Sequence, residues 1–160
     1  MKCCRDQGFT LLEIIIVVVV MSLALAVAYP SLSRGSSAIR LRSTGRDILN
    51  TFRYAREKAV TEQTGIRVAV DPEKQEVTLS NDLGDGLRTY RLPQEVRIQR
   101  LRRGGAELTE GPLLVRFLPN GSAENAEVLL VSKTGAFLRI ITDPITGGAR
   151  VEQGRGENWP

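Results

Sequence analysis

The chain has 160 residues, 42% of them apolar, and a net charge of +4, a size for one ordinary domain or a small domain with an appendage. This composition excludes a polytopic membrane protein, a disordered chain and a disulfide scaffold, and the lack of histidine removes His-based triads and His-ligated metal centres. The charge is localised: seven Lys/Arg face three Asp/Glu from Ser31 to Gln63, whereas thirteen of each cancel from Thr64 onward, so no cationic head suited to nucleic acid emerges.

From Phe9 to Tyr29, 18 of 21 residues are apolar, the exceptions being Thr10, Glu13 and Ser22. At ~1.5 Å per residue such a helix spans about 32 Å, close to the ~30 Å of bilayer hydrocarbon. Neither Gly nor Pro interrupts it before Pro30, which predicts a single membrane-spanning helix over residues 9–29. A secretory signal peptide competes with this reading: Lys2 and Arg5 make a basic start, and Ala24-Leu25-Ala26 or Ala26-Val27-Ala28 would serve as a cleavage site. A lipoprotein signal needs a cysteine after the apolar run, but Cys3 and Cys4 precede it. Glu13 discriminates among these. A carboxylate in hydrocarbon costs about 2.5–3.5 kcal/mol on insertion scales, which neither a disposable signal nor a plain anchor has reason to carry.

The string Gly8-Phe9-Thr10-Leu11-Leu12-Glu13, behind its short basic leader, resembles the processing motif of type IV pilins and type II secretion pseudopilins. The resemblance implies that a prepilin peptidase cuts after Gly8 on the cytoplasmic side, removing residues 1–8 with both cysteines, and methylates the new terminus at Phe9. It implies that Glu13, five residues into the processed chain, neutralises the N-terminal amine of a neighbouring subunit. An amine and a carboxylate held together in apolar surroundings each need the other. The same resemblance places the protein in the bacterial inner membrane as a single pass, N-terminus cytoplasmic and head periplasmic. Charge counting opposes that orientation weakly, because Arg34, Arg40, Arg42 and Arg46 follow the run. Long domains translocate largely regardless of charge, so the motif takes precedence.

Residues 30–63 read as a basic helical stem. Leu41, Ile48, Phe52, Ala55 and Ala59 recur at three-four spacing, with Gly45 in the intervening step, while Arg42, Arg46, Arg53 and Lys58 lie largely off that stripe. Gly35 and Gly45 weaken the helix, and Ser33-Arg34-Gly35-Ser36-Ser37 is a candidate melted stretch before Thr64-Gly65 ends it. Three roles suit the basic stem: a solvated surface, which is the default, a contact with anionic headgroups, or a contact with acidic faces of neighbouring subunits.

From residue 64 the period changes to two. Strands are predicted at Ile66–Val70, Val77–Leu79, Leu87–Leu92, Val96–Ile98, Leu113–Leu118, Glu127–Ser132, Ala136–Thr142 and Ala149–Glu152, joined by Gly/Pro/Asn turns. That alternation indicates antiparallel sheet, and the overall expectation is an α+β fold. A long N-terminal helix, its first half transmembrane, packs by its apolar stripe on an antiparallel sheet or β-sandwich head over residues 64–152. Residues 153–160 read as a loose tail with Trp159 as a docking residue.

Phe117-Leu118-Pro119-Asn120-Gly121-Ser122, followed by Val128–Val131 and then Gly135 before a further strand, resembles the globular domain of the GspH/FimT group of minor pseudopilins and minor pilins. Within the head, Asn81, Asp82 and Asp85 lack the ligand series of a calcium loop, and Gly84-x-Gly86 lacks the rest of a dinucleotide site. No metal or cofactor is expected. No serine or acid pair has a base partner at recognisable spacing, so the expectation is a non-enzyme. Arg97, Arg100, Arg102 and Arg103 form a basic run for a partner or DNA contact, or for guarding a strand edge. No aromatic residues interleave, which disfavours nucleic acid. The preferred reading is a GspH-like minor pseudopilin of a type II secretion system, part of the filament's tip complex, whose partners are other pseudopilins, the prepilin peptidase and inner-membrane lipids. The alternative is a FimT-like type IV minor pilin in pilus assembly or DNA uptake.

Overall fold

The computed structural model describes residues 10–155, with side chains throughout that span except at 27–36 and Arg155. Gly8, Phe9 and Trp159 lie outside the described residues. The chain divides into two compact units, Met1–Ser36 and Ser37–Pro160.

A single α-helix, α1, runs from Leu11 to Glu62. It passes through Pro30, Gly35 and Gly45 without a break, so the candidate melted stretch at Ser33–Ser37 is helical. Propagating a helix adds one bond per residue fixed, and that gain on both sides outweighs one proline and two glycines. The helix stops where Gln63 turns to a φ of +52° and its Nε2 donates to the carbonyl of Val60, a polar closure of the last turn.

The second unit is a two-sheet head. One sheet has the order β3-β2-β1-β6, built from β1 (Ile66–Asp71), β2 (Glu76–Asn81), β3 (Gly86–Arg91) and β6 (Leu113–Phe117). The other has the order β5-β4-β7-β8-β9, built from β4 (Val96–Arg103), β5 (Ala106–Glu107), β7 (Ala126–Ser132), β8 (Ala136–Thr142) and β9 (Ala149–Arg155). All pairings are antiparallel. The last strand extends to Arg155, past the Glu152 at which the sequence reading ended it, so the tail read from residue 153 begins as strand.

Alternation decides which side of each strand is inside. Ile66, Val68 and Val70 of β1, Leu113, Val115 and Phe117 of β6, and Val128, Leu130, Leu138 and Ile140 of β7 and β8 are all buried. The predicted helix stripe meets them: Leu41, Ile48, Phe52, Ala55 and Ala59 are each at most 3% exposed. Phe52 lies against Phe117 with ring centroids 5.8 Å apart and planes tilted by 56°, which ties the helix to the first sheet. Gly45 ties it to the second, because Leu138 occupies the space a side chain there would take. Tyr90 adds a polar tie from the edge strand β3, donating to Asp47 Oδ2 at 3.2 Å, and burial pushes its phenol up from the ordinary range.

Candidate assembly site

The three polar residues of the apolar run behave differently. Thr10 caps α1: the Glu13 amide donates to Thr10 Oγ1 at 3.3 Å and to the Thr10 carbonyl at 3.1 Å, satisfying one of the orphan donors of the first turn. Ser22 donates to the Val18 carbonyl at 2.7 Å, so its hydroxyl is satisfied inside its own helix. The carboxylate of Glu13 has no hydrogen-bond or ion-pair partner among the described residues. It sits in the first turn, where the helix dipole favours negative charge. Around it the apolar side chains are open, from Val17 at 47% to Leu11 at 78% exposed. A continuous apolar face of this extent needs lipid or protein over it. Among the described residues no helix is long and apolar enough to cross a membrane. The run read from the sequence continues on either side of its described side chains, to Phe9 and to Tyr29.

The basic run lies in β4, which is longer than the three residues Val96–Ile98 predicted. A bulge between Ile98 and Arg100 breaks the alternation, so that Gln99 and Arg100 are both exposed before Leu101 turns inward. The bulge is held from the other sheet: the Ile98 amide donates to Gln75 Oε1 at 2.9 Å. Of the four arginines, Arg100 pairs with Glu107 at 3.6 Å, and Arg103 donates to the Leu114 carbonyl at 2.9 Å, bridging β4 to β6 in the opposite sheet. Arg102 stands between Glu127 and Glu107 in register. The structure thus brings the predicted run together but commits Arg100 and Arg103 to contacts within the head.

The turn from Asn81 to Gly86 is closed by its own groups: the Asp85 amide donates to Asn81 Oδ1 at 2.8 Å. Asp82 faces two guanidiniums, Arg67 at 3.1 Å and Arg116, and its carboxyl is held below the usual range, chiefly by the Arg116 hydrogen bond. On the outer face of the second sheet, Glu152 takes Arg139 and Arg150, and its carboxyl is likewise held low.

The Pro119–Ser122 segment is a tight turn. The Leu118 amide donates to the Ser122 carbonyl at 2.9 Å, the Ser122 amide to Asn120 Oδ1 at 3.0 Å, and Gly121 has a φ of +84°. Sequence reading missed its partner, Arg56 of α1, whose Nε donates to the Gly121 carbonyl at 3.2 Å. Nothing in the spacing distinguished this arginine from its solvated neighbours. The β8–β9 loop closes on the same point. Asp143 Oδ1 accepts from the amides of Thr146 (3.1 Å) and Ile145 (2.8 Å), which hold its carboxyl low, and Gly147 at φ +62° packs its backbone on Gly121. A Cβ at Gly147 would overlap the Gly121 carbonyl oxygen and strain the backbone as well. Gly147→Ala should therefore destabilise the head by about 2–4 kcal/mol in chemical denaturation, whereas Gly148→Ala, free of that overlap, should cost well under half as much.

Residues 44–147 match the family Type II transport protein GspH, a span from the buried part of α1 to the Gly147 turn. The chain belongs to the GspH family. Residues 3–29 separately match the prokaryotic N-terminal methylation motif, which covers Gly8, Phe9 and Glu13. The type II secretion system protein H of Xanthomonas campestris pv. campestris is 28% identical over 148 residues, 90% of this chain and 82% of that protein. Two structures of the minor pseudopilin EpsH from the type II secretion system of Vibrio cholerae share the fold at 14% identity. Their TM-scores are 0.60 and 0.56, covering 74% and 71% of this chain and 97% of each of theirs. This GspH-family chain is a minor pseudopilin of type II secretion, a structural subunit. Its relatives come from secretion systems, which moves the reading away from a FimT-like pilin.

Proposed function

We propose that this pseudopilin is processed between Gly8 and Phe9 by the prepilin peptidase and methylated at Phe9. The segment 9–29 then anchors it in the inner membrane with the head in the periplasm. It enters the tip complex of the secretion filament alongside other pseudopilins and assists export by mechanical assembly, with no reaction of its own. The single observation that carries this reading is the contrast within the apolar run. Thr10 and Ser22 are satisfied by their own helix, and Glu13 alone is left to find a cation from outside. The methylation motif over residues 3–29 supports the same reading.

Mass spectrometry of the mature chain from its host membrane tests it. An N-terminus at Phe9 carrying one methyl group is the expected result. A chain beginning at Val27 or Tyr29 would have discarded Glu13 with a signal peptide and ends the assembly reading.

A further inference from the structure

The arginines that the sequence offered for partner contact on β4 are largely engaged within the head, but a second basic surface is not. On the face of α1 opposite the buried stripe, Ile39, Arg42, Arg46, Asn50, Arg53, Glu57 and Val60 recur at three-four spacing and are all exposed. Tyr54 stands beside them at 51% exposure and Ile39 is at 69%. Among the described residues Arg42, Arg46 and Arg53 have no ion-pair or hydrogen-bond partner. The neighbouring cations do: Arg40 reaches Glu95 at 3.5 Å, Arg56 reaches the Gly121 carbonyl, and Lys58 pairs with Glu62 one turn on.

We propose that this ridge of Arg42, Arg46 and Arg53 is a docking surface for the acidic face of a different pseudopilin subunit. The inference rests on the filament reading above. The charge on the ridge sets the partner's sign, and its spacing sets a ladder. Arg42 and Arg46 stand about 6 Å apart along the helix and Arg46 and Arg53 about 10 Å, so the partner presents carboxylates at similar intervals. The chemistry favours protein over an anionic bilayer. All three free cations are arginines, which grip carboxylates bidentately, and Ile39, Tyr54 and Val60 add the aromatic and aliphatic area typical of interface centres. A second copy of this chain is disfavoured, because ridge against ridge sets like charges opposite one another.

The test uses the full chain co-expressed with its companion pseudopilins, with a photo-crosslinking amino acid in place of Asn50. Cross-linking to one companion subunit is expected. Arg42→Glu, Arg46→Glu and Arg53→Glu together should cut that yield about tenfold or more, and the three Arg→Lys changes, which keep the charge but lose the bidentate fork, should fall between the parent and the reversed chain. Because these side chains are exposed, circular dichroism should show the reversed chain folded as the parent. Unchanged cross-linking after charge reversal, or a product that is phospholipid instead of protein, overturns the inference. If the parent chain co-purifies with no pseudopilin, the filament reading falls and takes this one with it. If the reversed chain co-purifies as well as the parent, this inference alone falls.

Discussion

Glu13→Leu is expected to insert into membranes at least as well as the parent chain and yet to enter filaments poorly. Insertion gains because removing a carboxylate from hydrocarbon recovers roughly 2.5–3.5 kcal/mol. Under the proposed pairing, assembly loses because the neighbouring subunit's N-terminal amine is then buried without its counter-charge, a loss of about 3–5 kcal/mol for a broken buried pair. At ~1.4 kcal/mol per tenfold, incorporation should fall by roughly two to three and a half orders of magnitude. Membrane fractionation and filament immunoblots measure the two effects separately. Glu13→Gln, which keeps a polar side chain but no charge, should fail similarly in assembly. Normal incorporation of either variant would contradict the pairing. Neither Thr10 nor Ser22 should matter to this degree, since each is already satisfied by its own helix.

The largest effect on stability is expected at Phe52. Its ring is 1% exposed and packs on Phe117, so it joins the helix to the first sheet. Phe52→Ala removes that ring from a core closed on every side and should destabilise the second unit by about 3–5 kcal/mol, the range for aromatic truncation in a packed interior. For a domain of this size the midpoint of thermal unfolding should fall by roughly 10–20 °C. Phe52→Leu, which keeps most of the apolar volume, should lose less than half as much. Calorimetry of the detergent-solubilised full chain would measure both. A loss below about 1 kcal/mol for the alanine variant would mean that helix and sheet are not held through this contact.

Much of the head could be read from residue order alone, and the reason is periodicity. The stripe from Leu41 to Ala59 reports a helix face wherever it packs, and the alternation in Ile66–Val70 or Leu113–Phe117 reports a strand with one face inside. Even Gly45 was legible as the gap in that stripe, and Leu138 fills it. Legibility ended where the period was broken. Across the Ile98–Arg100 bulge the inward-outward rhythm slips, so a strand reaching to Arg103 looked three residues long. The short β5 at Ala106–Glu107 has no period to show. In the stem the reverse happened: local propensity counted Gly35 against the helix, and cooperative propagation carried α1 through it.

For function the division falls elsewhere. An unpaired acid in an apolar run and the residues around it are covalent facts, written in order along the chain. They set the reading as a filament subunit before any packing is known. What each arginine does is decided only by folding. Arg56 and Arg103 are committed to carbonyls brought to them from other elements and Arg100 to a carboxylate across the β4–β5 hairpin, while Arg42, Arg46 and Arg53 are left outward-facing. Identical side chains at similar local spacings acquire opposite roles because a guanidinium's partner is chosen by distance in space, which separation along the chain does not encode.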